Sequence, residues 1–147
     1  MRGVPLPPDD HVVRYVRPTD VDEGEVSAGA FMLRASETSL SVNWREKLPG
    51  DRREHLTALR RLIRLRLARG GWFATLNVGR TKGHLLSNHS PIDVRSDPLD
   101  GTDDYPPDPS HAGITGLPAQ NDHSFAVFVG ALIAECVQAP LDPAHAD

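Results

Sequence analysis

The chain has 147 residues, 16 Lys and Arg against 20 Asp and Glu, a formal net charge of -4 and one cysteine. Such a length suits one compact domain and is short for two; the negative balance disfavours indiscriminate binding to phosphate backbones, and a lone cysteine excludes both a disulfide framework and a cysteine-rich zinc module. No signal-like apolar stretch and no bilayer-length apolar run is present, so the expectation is a soluble cytoplasmic protein without a membrane partner, of bacterial character by composition.

Pro5, Pro7, Pro8, Asp9 and Asp10 make residues 1–10 an irregular lead-in. Residues 11–17, HVVRYVR, read as a strand ended by Pro18, with Val12, Arg14 and Val16 on one face and His11, Val13, Tyr15 and Arg17 on the other. Residues 20–25 are acidic and exposed, and residues 27–33 form a short buried turn or a strand. In residues 40–44, LSVNW, period two turns Leu40, Val42 and Trp44 inward.

Asp51 followed by Glu54 resembles a capping box and predicts a helix start. Leu56, Leu59, Leu62, Ile63 and Leu67 then recur near a 3.6-residue period, with Arg53, Arg60, Arg61 and Arg64 elsewhere on the wheel. Arg66 and Arg69 extend the charge toward the helix C-terminus, and Gly70 and Gly71 stop it. Residues 72–78 read as a strand. Beyond Gly79 the pattern is irregular, with short buried pieces at Leu85 and Leu86 and at residues 89–94. Residues 95–109 form an acidic loop containing Asp97, Asp100, Asp103, Asp104, Asp108 and four prolines. Asn121 caps a helix whose apolar run covers residues 125–137, suited to burial against a sheet or to a homodimer contact. Residues 140–147 read as a flexible tail. The expected fold is a single α+β domain over residues 11–139, a small mixed or antiparallel sheet covered by two helices in a two-layer arrangement.

The densest polar constellation is His84, His89, Asp93 and His111. His89, Asp93 and His111 have the chemistry to ligate a divalent metal such as zinc or manganese, the alternative to a protein without cofactor. His89, His111 and His11 are the candidate catalytic acids and bases, suited to phosphodiester cleavage with an arginine holding the phosphate. Residues 79–83, GRTKG, lack the glycine spacing of a phosphate-binding loop, the serines lack a nucleophile elbow, and Cys136 reads as a small buried hydrophobe.

Arg53, Arg60, Arg61 and Arg64 are the candidate partner-binding residues, facing an acidic protein or the chain's own 97–108 loop. Nucleic acid is less favoured, because no aromatic stacking stripe, zinc-finger spacing or basic tail accompanies them. The leading expectation is therefore a small accessory or interaction protein. A phosphate-directed hydrolase, a nuclease or phosphodiesterase, comes second, and a nucleic-acid-binding module without catalysis third.

Overall fold

The computed structural model describes residues 2–145. In chain order the elements are β1 (His11–Val16), a hairpin of β2 (Val21–Asp22) and β3 (Glu25–Val26), β4 (Leu40–Trp44), α1 (Arg52–Leu62), β5 (Trp72–Asn77), α2 (Val78–Ser87), β6 (Asp93–Ser96), β7 (His111–Thr115), α3 (His123–Ala134) and β8 (Gln138–Pro143). Six of the strands form one sheet in the order β6-β7-β4-β1-β5-β8, with every neighbouring pair antiparallel. The expected α+β domain with an antiparallel sheet is the fold.

Alternation along the central strands supplies two apolar faces, and each face has its own helical cover. Val12, Val16, Leu40, Leu76 and Ile114 belong to the larger core, together with Leu85 of α2 and Val129 and Ile133 of α3. Val13, Tyr15 and Phe73 point the other way, against Ala58, Leu59 and Leu62 of α1. Leu40, Leu76, Leu85, Ile114 and Ile133 are 0 % exposed, each contributing about 1.5–3 kcal/mol by burial. The helices thus lie on both faces, and there are three of them among the described residues, where two on one face were expected.

The extra helix, α2, is absent from the sequence reading because Gly79 and Gly83 interrupt its pattern. Its start is set by Asn77, which ends β5 and whose side chain accepts a 2.8 Å bond from the Arg80 N–H, while Val78, Thr81 and Leu85 bury one face. α3 runs close to the turn Ala28–Phe31, and Gly130 permits this: a Cβ there would sit 2.5 Å from the Ala28 carbonyl oxygen.

Several boundaries differ from expectation; at the start of α3 the N-cap residue is Asp122, not Asn121, and it makes no side-chain cap bond. The arginine helix ends at Leu62, with Ile63 extended at φ -68, ψ 123, so Arg64, Arg66 and Arg69 do not lie on it. Tertiary contacts override helix propensity there: Ile63 and Leu67 pack against the α1 core, and the Ala68 N–H donates to the Tyr15 hydroxyl at 2.9 Å. Residues 140–143, expected as tail, continue β8 along β5, where Trp72 pairs with Pro143 and Phe73 with Asp142. Pro140 and Pro143 are tolerated because β8 is an edge strand. The rest of that expected tail reaches residues 146–147, which lie outside the described residues. Within the lead-in, Leu6 is 4 % exposed and its N–H donates to the Val94 carbonyl at 3.0 Å, so the segment lies along β6.

Candidate functional site

The centre of the sheet contains a defect. β1 pairs with β5 through six residues but with β4 only through Val12 with Trp44 and Val13 with Asn43. Beyond those pairs the two strands part, and the Arg14 guanidinium bridges the opening, Nη1 donating to the Ser41 carbonyl of β4 at 2.8 Å and Nε to the Ala30 carbonyl at 3.0 Å. A cleft of about 330 Å³ lies over this opening, with Val13, Asn43 and His111 on its sheet side and Leu62, Arg64 and Leu99 among its walls. Arg34 and Glu37 complete it, and a smaller hollow sharing Arg14, Tyr15, Arg34 and Leu65 continues it toward Arg17. Its size is in the range of ligand pockets.

The electrostatics of the cleft are set by arginines short of acceptors. Burial pulls the Arg14 pKa down from the ordinary arginine range to about 10; Glu37 opposes that shift, and the like charges of Arg34 and Arg17 add to it. None of the ion pairs among the described residues involves Arg14, Arg34 or Arg64. Arg64 Nη2 donates to the Asp100 carbonyl at 2.5 Å and the Pro106 carbonyl at 3.2 Å, its guanidinium lies 5.5 Å from the Tyr105 ring centre, and its Nε is buried without a partner. A partly buried cation satisfied only by neutral carbonyls lacks the compensation that such groups ordinarily require.

Beneath the cleft lies a buried polar knot. Asp108 is 1 % exposed; its Oδ2 accepts from Asn43 Nδ2 at 2.9 Å, and its Oδ1 accepts from the Ser110 N–H at 3.0 Å and the Ser110 hydroxyl at 2.6 Å. These bonds tie the end of the acidic loop to β4. His111 follows directly, its side chain 13 % exposed and its Nδ1 2.8 Å from the Asp97 carbonyl. A carbonyl can only accept, so Nδ1 carries the proton, and in the neutral ring the free lone pair is on Nε2.

The sequence-predicted histidines do not converge on this cleft. His11 is held by Glu46, which accepts from its backbone N–H and contacts its Nδ1, both at 2.7 Å. The row Val13, Asn43, His111 across the sheet puts His11 two strands over and two residues along from His111, roughly 12 Å away at standard sheet spacing. His89 terminates α2 with φ 59, the left-handed conformation of a helix C-cap. Asp93 pairs with Thr115 at the far end of β7 from His111, about 13 Å at the strand rise. Its carboxylate is 3.1 Å from Lys82 Nζ and 2.7 Å from Arg95 Nε. Burial pushes the Asp93 pKa up, but hydrogen bonds from Lys82, the Val94 N–H and Arg95 outweigh that and hold it below the usual range. The expected ligand set of His89, Asp93 and His111 is therefore not assembled, and among the described residues no group of three or more His, Cys, Asp or Glu is placed to hold a metal ion. His84 lies 3.2 Å from Glu135, the residue that follows α3. Burial raises the pKa of the Cys136 thiol, in keeping with packing.

The four arginines expected on one helix divide into two pairs, and Arg64 lies beyond its end. Arg60 is spent on the chain's own C-terminal segment, donating to the carbonyls of Ala144 at 3.1 Å and Pro143 at 3.0 Å, and Arg64 on the loop as described. Arg53 and Arg61 border a separate hollow with Glu54. Arg64 alone of the four joins the cleft, where its companions are Arg14 and Arg34, which the sequence reading left out of the site. The signal for Arg14 was its place between Val12 and Val16 on an otherwise apolar strand face; Arg34 and Asn43 carried none.

No helix among the described residues is long and apolar enough to cross a membrane. Comparison of the chain with protein-family models, with curated proteins and with solved structures gave no match.

Proposed function

We propose that the protein is a cytoplasmic accessory or interaction protein that recognises an acidic segment of a partner protein, seating a carboxylate in the cleft between β1 and β4. The observation that carries this reading is Arg14, a partly buried cation with two carbonyl acceptors and, among the described residues, no carboxylate at ion-pair distance, Glu37 acting on it only from farther off. An acidic side chain entering the cleft would meet Arg14, Arg34 and Arg64 and restore the missing compensation through charge-assisted bonds. The apolar neighbours Val13, Leu62, Ile63 and Leu65 suit a peptide in which acids alternate with aliphatic residues. Nucleic acid fits less well, because Glu37 and Asp108 share the cleft and the chain as a whole is negative.

A phosphate-directed hydrolase is the second reading, favoured by His111, whose fixed tautomer leaves Nε2 as a base in an arginine-lined cleft. Neither His11 nor His89 lines this cleft, so Glu37 is the group left to act with it. One calorimetric experiment tests the main reading, using a synthetic peptide of alternating glutamate and leucine and its glutamine counterpart. The glutamate peptide binds, Arg14→Gln and Arg34→Gln each weaken it at least about tenfold, and Arg53→Glu with Arg61→Glu leaves it unchanged. Equal binding of the glutamine peptide, or loss of binding only in the Arg53 and Arg61 protein, would overturn the proposal.

A further inference from the structure

α3 presents apolar side chains to solvent as well as to the sheet. Ala126, Val129, Leu132 and Ile133 are buried, whereas Phe125, Val127 and Phe128 are 43 %, 38 % and 48 % exposed. Clustered exposed aromatics of this kind mark contact surfaces. On the C-terminal half of the same helix the outward residues are small, and Ala131 and Ala134 form one wall of a groove of about 850 Å³ closed by Val26, Ala28, Trp72 and Leu141. One helix thus carries a projecting ring toward its start and an apolar recess toward its end.

We propose that this surface is self-complementary and that the protein pairs with a second copy of itself through antiparallel α3 helices about a two-fold axis. Ser124, Phe128, Ala131 and Glu135 follow the i, i+4, i+7, i+11 spacing of a helix-pair seam and fall within about 60° of one another around the helix. With the two-fold axis between Val129 and Gly130, Phe128 of each copy meets the partner's Ala131 at the mouth of the groove, and Ser124 meets the partner's Glu135. A two-fold contact requires this reciprocity, residue i on j and j on i. The end charges agree with the arrangement. The Glu135 side chain is 59 % exposed even with one carboxylate oxygen 3.2 Å from His84 Nε2, and Asp122 makes no side-chain cap at the N-terminus of α3, so the first-turn N–H groups are open to the second oxygen along with Ser124. The pairing is independent of the arginine cleft, which is lined by other elements.

Sedimentation velocity over the micromolar range, with circular dichroism as the folding control, tests it. The wild-type protein sediments as a dimer. Phe128→Ala weakens association by about 100-fold or more, since the two-fold axis counts each loss twice. Ala131→Phe also weakens it, by driving two rings into one place, and the double variant Phe128→Ala, Ala131→Phe restores it. General stickiness of an apolar helix predicts the reverse for Ala131→Phe, namely tighter or larger assemblies. Ser124→Lys, which sets a cation against the partner's Glu135, strengthens the dimer, an effect that misfolding does not produce. A monomeric wild-type protein at every concentration, or tighter association of Ala131→Phe, overturns the proposal.

Discussion

Replacing Arg14 with methionine separates a structural bolt from a receptor. The guanidinium donates to the Ser41 and Ala30 carbonyls at 2.8 and 3.0 Å and pairs with no carboxylate. The fall of its pKa from the ordinary arginine range to about 10 corresponds to at most about 3 kcal/mol against the charged folded form at about 1.36 kcal/mol per pH unit, and to less where the head reaches cleft water. Because the folded value lies below the unfolded one, the unfolded chain holds the proton more tightly between those two pH values. The penalty is therefore fully present at neutral pH and is relieved only as the pH rises through about 10 toward the ordinary arginine range. Methionine removes that penalty and keeps most of the volume, but leaves two carbonyls short of a donor, at about 1–3 kcal/mol each where water cannot reach. The two sides nearly cancel, so Arg14→Met changes unfolding free energy by no more than about 2 kcal/mol in urea denaturation at neutral pH. Affinity for the glutamate peptide falls at least about tenfold in the same protein. A destabilisation above about 4 kcal/mol would make Arg14 the bolt that holds β1 to β4 and to the Ala30 turn, and the inference from its missing counter-ion would fail.

Asp108→Ala removes the acceptor of the Ser110 hydroxyl and N–H and leaves the Asn43 amide only the Ser110 oxygen, at a cost of about 3 kcal/mol read by denaturant titration, with faster proteolysis of residues 97–108. Gly130→Ala gains about 1 kcal/mol of helix propensity but forces a methyl to within 2.5 Å of a backbone carbonyl that cannot rotate away, so the melting temperature falls by a few degrees. His89→Gly relieves the left-handed φ of 59 and raises stability by up to about 1 kcal/mol in urea; a clear loss would mean that the imidazole is held in place by contacts worth more than that strain.

The sequence made the two-sided alternation of β1, the LSVNW strand, the Asp51 cap and the apolar third helix legible, because each is local: a period, a cap or a composition. The Asp51 carboxylate does accept from the Glu54 N–H, at 3.0 Å. The end of α1 was not legible from the arginine pattern. From Ile63 on, Ile63, Leu65 and Leu67 alternate with Arg64 and Arg66, a period of two that a helical reading of the whole segment absorbs without conflict. What decides the boundary is capture of Arg64 by the Asp100 and Pro106 carbonyls and of the Ala68 N–H by Tyr15, contacts spanning 36 to 53 positions. The site was hidden for the same reason. Arg14, Arg34, Asn43, Arg64 and His111 come from separate segments, and only the parting of β1 from β4 puts them around one cleft.

The pairing anticipated between basic segment and acidic loop exists, but through the wrong chemistry for neutralisation. Arg64 takes the loop's carbonyls and lies against Tyr105, while Asp100, Asp103 and Asp104 enter no ion pair among the described residues. The loop therefore closes one wall of the cleft through Leu99 and Asp108, while its exposed acids Asp100, Asp103 and Asp104 stay outside the lining as a negative rim. A polyanion approaching the cleft meets that rim and the net charge of -4 over a distance comparable to the screening length of about 8 Å at physiological salt. A short segment with one or two carboxylates between aliphatic residues meets mainly the three arginines and the apolar walls. On the proposed reading, discrimination between those two kinds of ligand would come from where the aspartates stand, and the arginines, which bind carboxylate and phosphate alike, would supply affinity.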